Sequence, residues 1–181
     1  MAILKRLFGG GAKPPAGGPS RTEHSAPSDV GTFAGLFVAM PEAVEGWDIE
    51  ATGVTPATWP AMEFKRLETV KLGMLESILT GVAYDDIDQD DLHNLVREGG
   101  PEGPWISRVR EPLVDALATA DDSRIGPAAA AWADTDEFKS RPTDQPSRAT
   151  IDELSGLVAE MAAMARVAKE RAEPMYLMMG L

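Results

Sequence analysis

The sequence predicts a mainly α-helical fold: a compact acidic helical domain over residues 31–181, with room for one small β-hairpin, behind a flexible N-terminal arm over residues 1–30. Three observations carry this expectation. Residues 150–174 and residues 69–81 place apolar side chains at spacings of three and four, the stripe of an amphipathic helix. Residues 9–28 are rich in Gly, Pro, Ser and Ala, a linker composition that buries too little apolar surface to offset its ordering entropy.

The C-terminal helix has the most complete signal. Thr150 and Glu153 stand at capping-box spacing. Leu154, Leu157, Val158, Met161, Met164, Ala165, Ala168 and Ala172 then form one stripe, and Pro174 ends it. Asp152 and Glu153 at the start, with Arg166, Lys169 and Arg171 toward the end, oppose the helix dipole. Such a helix is ~33 Å long and can touch most other elements. Thr69 opens the second helix, which carries Val70, Met74, Leu75, Ile78 and Leu79 and ends at Gly81, the expected left-handed cap. Gly73 inside it costs about 1 kcal/mol relative to alanine, so a close neighbour is expected there, with the C-terminal helix as the partner.

The remaining elements are shorter. Phe33, Leu36, Phe37, Val38 and Met40 form an apolar block too uniform to separate strand from helix. An extended piece at residues 47–51 and the alternation of Met62 and Phe64 with Glu63 and Lys65 suggest the hairpin. Residues 91–98 read as a short helix, and Trp105, Ile106 and Val109 re-enter the core after a Gly/Pro loop. Pro112 suits the first turn of a helix through Ala118. Residues 123–133 make another helix, and residues 175–179 an extended apolar strip packed back on the body.

Charge narrows the function classes. The net charge is −12, which repels phosphate backbones and argues against a nucleic-acid surface. It is unevenly placed: residues 1–30 carry Lys5, Arg6, Lys13 and Arg21 against Glu23 and Asp29, a net of +2, leaving −14 on the body. A basic protein partner would be drawn to that body. No apolar run approaches the ~18 residues of a bilayer-spanning helix. The chain has no cysteine, which fits a reducing, cytoplasmic setting.

Residues 1–8 could form two turns of amphipathic helix, with Ile3, Leu4, Leu7 and Phe8 as the partner-contact set beside Lys5 and Arg6. A helix this short is marginal alone and needs a surface: its own body, another chain, or, by weak peripheral contact, anionic lipid.

Chemistry-bearing motifs are few. Asp86, Asp88 and Asp90 match the first, third and fifth ligand positions of a calcium loop, although the sixth position is Asp91 rather than Gly and the twelfth is Arg97 rather than Glu. The competing reading is a solvated acidic turn in which Asp90 caps the next helix. His24 and His93 are far apart in sequence and have no zinc-ligand spacing. There is no nucleophile elbow, so no catalytic residue is assigned; a carboxylate pair of unassigned position remains among the 29 acids. Trp47, Trp59, Trp105 and Trp132 read as core.

Several stretches resemble a family of uncharacterised small acidic bacterial proteins: FKRLETVKLGMLESILTG at residues 64–81, GPWISRV at 103–109, WADTDEF at 132–138, and the C-terminal helix with its apolar ending. The resemblance covers about half of the chain and implies a shared mainly helical domain with no known activity. The functional expectation is therefore a non-enzymatic interaction module, an adaptor or immunity-type inhibitor. A calcium-regulated module using Asp86, Asp88 and Asp90, and an enzyme with a carboxylate site, are the alternatives.

Overall fold

The computed structural model describes residues 33–48, 55–65, 67–100, 103–141 and 143–180. The fold class differs from the expectation. It is a mixed α/β fold built on a five-stranded antiparallel sheet, with six α-helices among the described residues. In chain order these are β1 (Phe33–Val38), α1 (Pro41–Glu45), β2 (Ala61–Lys65), α2 (Thr69–Thr80), α3 (Gln89–Leu92), β3 (Leu95–Glu98), β4 (Trp105–Arg108), α4 (Glu111–Thr119), α5 (Asp122–Ala133), α6 (Arg148–Arg171) and β5 (Met175–Gly180). The strand order is β2-β1-β5-β4-β3.

The last strand is thus the middle one. β5 pairs with β1 through Leu36 and Leu177 and with β4 through Ile106 and Met178. Met175, Tyr176, Leu177 and Met178 are all buried. A strand covered on both faces has no alternation to show, which is why this segment reads only as an apolar strip. The same holds for β1, where Leu36, Phe37 and Val38 are fully buried. Edge strand β3 has the opposite problem: Leu95 and Val96 are exposed, so its pattern reports no face. The anticipated helix over 91–98 divides accordingly into short α3 and β3. β2 lies where Met62 and Phe64 place it, but its partner is β1, with Ala34 opposite Phe64, and residues 47–48 are not strand.

Two cores follow from the two faces. On one, Ala34, Leu36, Val38, Met175 and Leu177 meet the helices. On the other, Phe37 stacks with Tyr176 (5.3 Å) and Trp59 (5.3 Å), while Trp47 meets it edge-on (6.0 Å). Burial pushes the Tyr176 hydroxyl above its ordinary pKa.

Helix α6 packs along α4, α5 and β1. Ala162, Ala165 and Ala168 are buried, and their small side chains let it lie close. It starts earlier than the capping-box spacing suggests: Ser147 caps it, its Oγ accepting from the Thr150 amide at 3.1 Å. Ala172 ends it in the left-handed region at φ 54°. In α2, Gly81 is left-handed as expected (φ 78°), but the close neighbours of Gly73 are Tyr84 and Leu92, not α6. A Cβ at Gly73 would lie 2.7 Å from the Tyr84 ring.

If β5 holds the sheet together, Leu177→Ala destabilises the protein by about 2–5 kcal/mol. Leu95→Ala at the exposed edge changes stability by no more than about 0.5 kcal/mol. Urea unfolding of both variants checks this; equal losses would contradict it.

Candidate functional site

The calcium expectation rests on the acidic turn at Asp86, Asp88 and Asp90. Asp86 closes a 3-10 turn over Tyr84–Asp86, and Asp88, rather than Asp90, caps α3, its Oδ1 accepting from the Asp90 amide at 3.0 Å and the Asp91 amide at 3.4 Å. Asp86, Asp88 and Asp90 are exposed, and Ile87 between them is buried. Among the described residues no three His, Asp or Glu side chains converge as a metal-ligand set. What organises the turn is a cation of the protein itself. Arg110 donates from Nη1 to the Asp88 carbonyl at 2.9 Å and lies 3.5 Å from Asp91 Oδ2.

Through its Nε, 3.3 Å from Glu76 Oε2, the same Arg110 side chain reaches the deepest carboxylate among the described residues. Burial pushes the Glu76 carboxyl above its ordinary pKa; Arg110 pulls it back, and Asp91 adds to the rise. Thr69, Ser107 and Arg110 share with Glu76 a cavity of about 10 Å³, room for one water and not for a substrate. His93 lies at its margin, Nδ1 2.9 Å from Thr69 Oγ1. This cluster ties α2, α3 and α4 together.

A groove of about 560 Å³ between β2, the turn after α5, and α6 has room for a ligand. Trp132 backs two of its lining residues, Lys71 and Phe138. Fully buried, it donates from Nε1 to the Lys71 carbonyl at 2.9 Å and holds the Phe138 ring edge-on at 5.0 Å. Lys71 Nζ lies 5.2 Å from the centre of the same ring. Phe64, Leu67, Phe138, Leu154 and Leu157 make the floor. Glu63, Glu137, Glu153 and Glu160 stand around them, four carboxylates against the one ammonium of Lys71.

Among the described residues none of these four glutamates has an ion-pair partner, and Glu137 Oε2 is buried without a hydrogen bond. The contrast is a second groove, of about 490 Å³, between α1, α4 and α6. There Lys169 already binds Glu111 and Asp115 at 2.7 Å each, which raises its pKa.

Helical spacing hinted at this site. Glu153, Gly156, Leu157 and Glu160 fall on one side of α6, and Gly156 interrupts an otherwise strong helix former. A Cβ added there would meet nothing within 4 Å, so no packing requirement explains the glycine. Glu63 and Glu137 come from other elements, and nothing in sequence joins them to Glu153. Ile3, Leu4, Leu7, Phe8 and His24 lie outside the described residues.

No family model and no curated protein matches the chain. Among solved structures it is similar to YfbM from Escherichia coli, a protein of unknown function, at 11% identity and a TM-score of 0.42, over 82% of this chain and 99% of that one. A likeness at that level supports no inference about function. No helix among the described residues is long and apolar enough to cross a membrane.

The Glu76–Arg110 pair generates a pH prediction. A carboxyl whose folded pKa is raised contributes stability that is fully present below its unfolded pKa and lost as pH rises through the folded one. Arg110→Met removes the counter-charge and raises the folded pKa further. The variant therefore loses about 3–5 kcal/mol at pH 7.5, and less as pH falls toward 5, because a carboxyl with a raised pKa takes up its proton at higher pH than an ordinary one. Urea unfolding at the two pH values measures this; the same loss at both would show that Glu76 is not the partner that matters.

Proposed function

We propose that the protein is an interaction module whose acidic groove between β2 and α6 takes a basic, apolar segment of a protein partner. The observation that carries this reading is the pairing of an apolar floor with glutamates that have no ion-pair partner among the described residues. Apolar contact supplies affinity, in the helix-in-groove manner, while the glutamates speed encounter and select the basic partner. The body charge of −14 favours the same partner and disfavours nucleic acid. The reading sets this role in the cytoplasm, in keeping with a cysteine-free chain.

A fluorescent peptide of leucine and lysine at helical spacing is the probe. It binds the full chain more weakly as salt rises. Glu153→Lys with Glu160→Lys weakens binding about tenfold, whereas Glu42→Lys at the second groove leaves it unchanged. The proposal fails if the double reversal has no effect, or if the peptide with glutamate in place of lysine binds as well.

A further inference from the structure

We infer that the groove is occupied in cis by the chain's own residues 3–8, so that a partner must displace an internal ligand. This rests on the reading of the groove as an interaction site and adds its first occupant.

The chemistry of the segment matches the groove. In a helix Ile3, Leu4, Leu7 and Phe8 share one side and Lys5 and Arg6 flank it. The groove offers the complement, an apolar floor of Leu67, Leu154 and Leu157 below Glu63, Glu153 and Glu160. Charge favours docking on the body at large as well, since residues 1–30 carry +2 and the rest −14.

Connectivity favours the same place. The chain enters the fold at the groove's edge: Phe33 pairs with Lys65, Ala34 with Phe64, and Gly35 with Glu63, and two of those β2 residues line the groove. Adjacent strands lie about 4.8 Å apart, so the first residues of β1 start one strand spacing from the site. Residues 9–32 supply 24 residues of connection, mostly Gly, Pro, Ser and Ala. As a coil this spans about 25–30 Å, enough to reach across one strand and one helix and fold back. At that length the effective concentration of the segment is about millimolar, so even weak intrinsic affinity fills the groove.

The position of Gly156 is consistent with this use. Open space beside an interior helical glycine lets an incoming segment approach the α6 backbone.

The chain's lack of cysteine makes the test direct. A nitroxide on Ala2→Cys in the full chain should broaden the amides of Phe64, Phe138 and Leu157 and spare Met40 and Val96. Lys5→Glu with Arg6→Glu should abolish that broadening and strengthen binding of the leucine–lysine probe about tenfold, by removing an internal competitor. Three results would overturn the inference. Broadening seen only between a labelled copy and an isotope-labelled unspun copy would assign the segment to a second chain. Label mobility unchanged until anionic phosphatidylserine vesicles are added would assign it to lipid. Probe binding of equal strength with and without the reversal, and no broadening, would leave the groove as a partner site with no cis ligand. Broadening without any probe binding would instead retain the cis contact and remove the partner reading.

Discussion

The constraint on which the rest of the molecule depends is the central position of β5. A strand hydrogen-bonded to β1 on one side and β4 on the other completes a sheet that is otherwise two separate pairs, β2-β1 and β4-β3. It arrives only after four helical elements of chain have been laid across one face. The geometry of α6 is therefore fixed at both ends: Ser147 caps its start, and its C-terminal turn must deliver Met175 into register with Val38. Non-local pairing of this kind is slow to form and makes the sheet cooperative once formed.

The groove is a consequence of that geometry. α6 lies over β1, and its buried alanines hold it close; Phe64 of edge strand β2 is left half-buried and, with Leu67 after the strand, lines the groove beside the helix. Phe138, held edge-on by buried Trp132, lines the groove. The polar groups of the molecule then divide into two kinds. Glu76, Arg110 and Asp91 face one another and join helices, and Lys169 is held by Glu111 and Asp115. Three glutamates of the groove, Glu63, Glu153 and Glu160, are exposed around an apolar floor, while Glu137 turns one carboxylate oxygen inward. The exposed glutamates of the groove are not tied up in such pairs.

Legibility from the sequence divided along physical lines. Helices with one buried face were readable: α2 with its Gly81 cap, α4 with Pro112 in its first turn, α5 and α6 all lie near their expected positions. The strands were not, because β1 and β5 are buried on both faces and β3 on neither, so the period of two appears clearly only in β2. That loss turned a mixed α/β fold into an apparently helical one. Helix start residues shifted where two polar residues compete, as Ser147 with Thr150 and Asp88 with Asp90. Of the candidate site, Glu153 entered the sequence reading only as a helix-cap residue and Glu160 not at all, while Glu63 and Glu137 are brought to it by tertiary contacts alone. The −14 charge of the body led to the expectation of a basic partner and assigned it no position on the surface.

The central claim is that ligand chemistry resides in the groove between β2 and α6, and leucine methyl NMR of the full chain during titration with the leucine–lysine peptide addresses it most directly. The account predicts that the methyl groups of Leu67, Leu154 and Leu157 shift together and saturate with one affinity, while those of Leu95 on the exposed edge do not move. Shifts confined to Leu95, or to Leu113 and Leu117 away from the groove, with the three groove leucines unchanged, would contradict it.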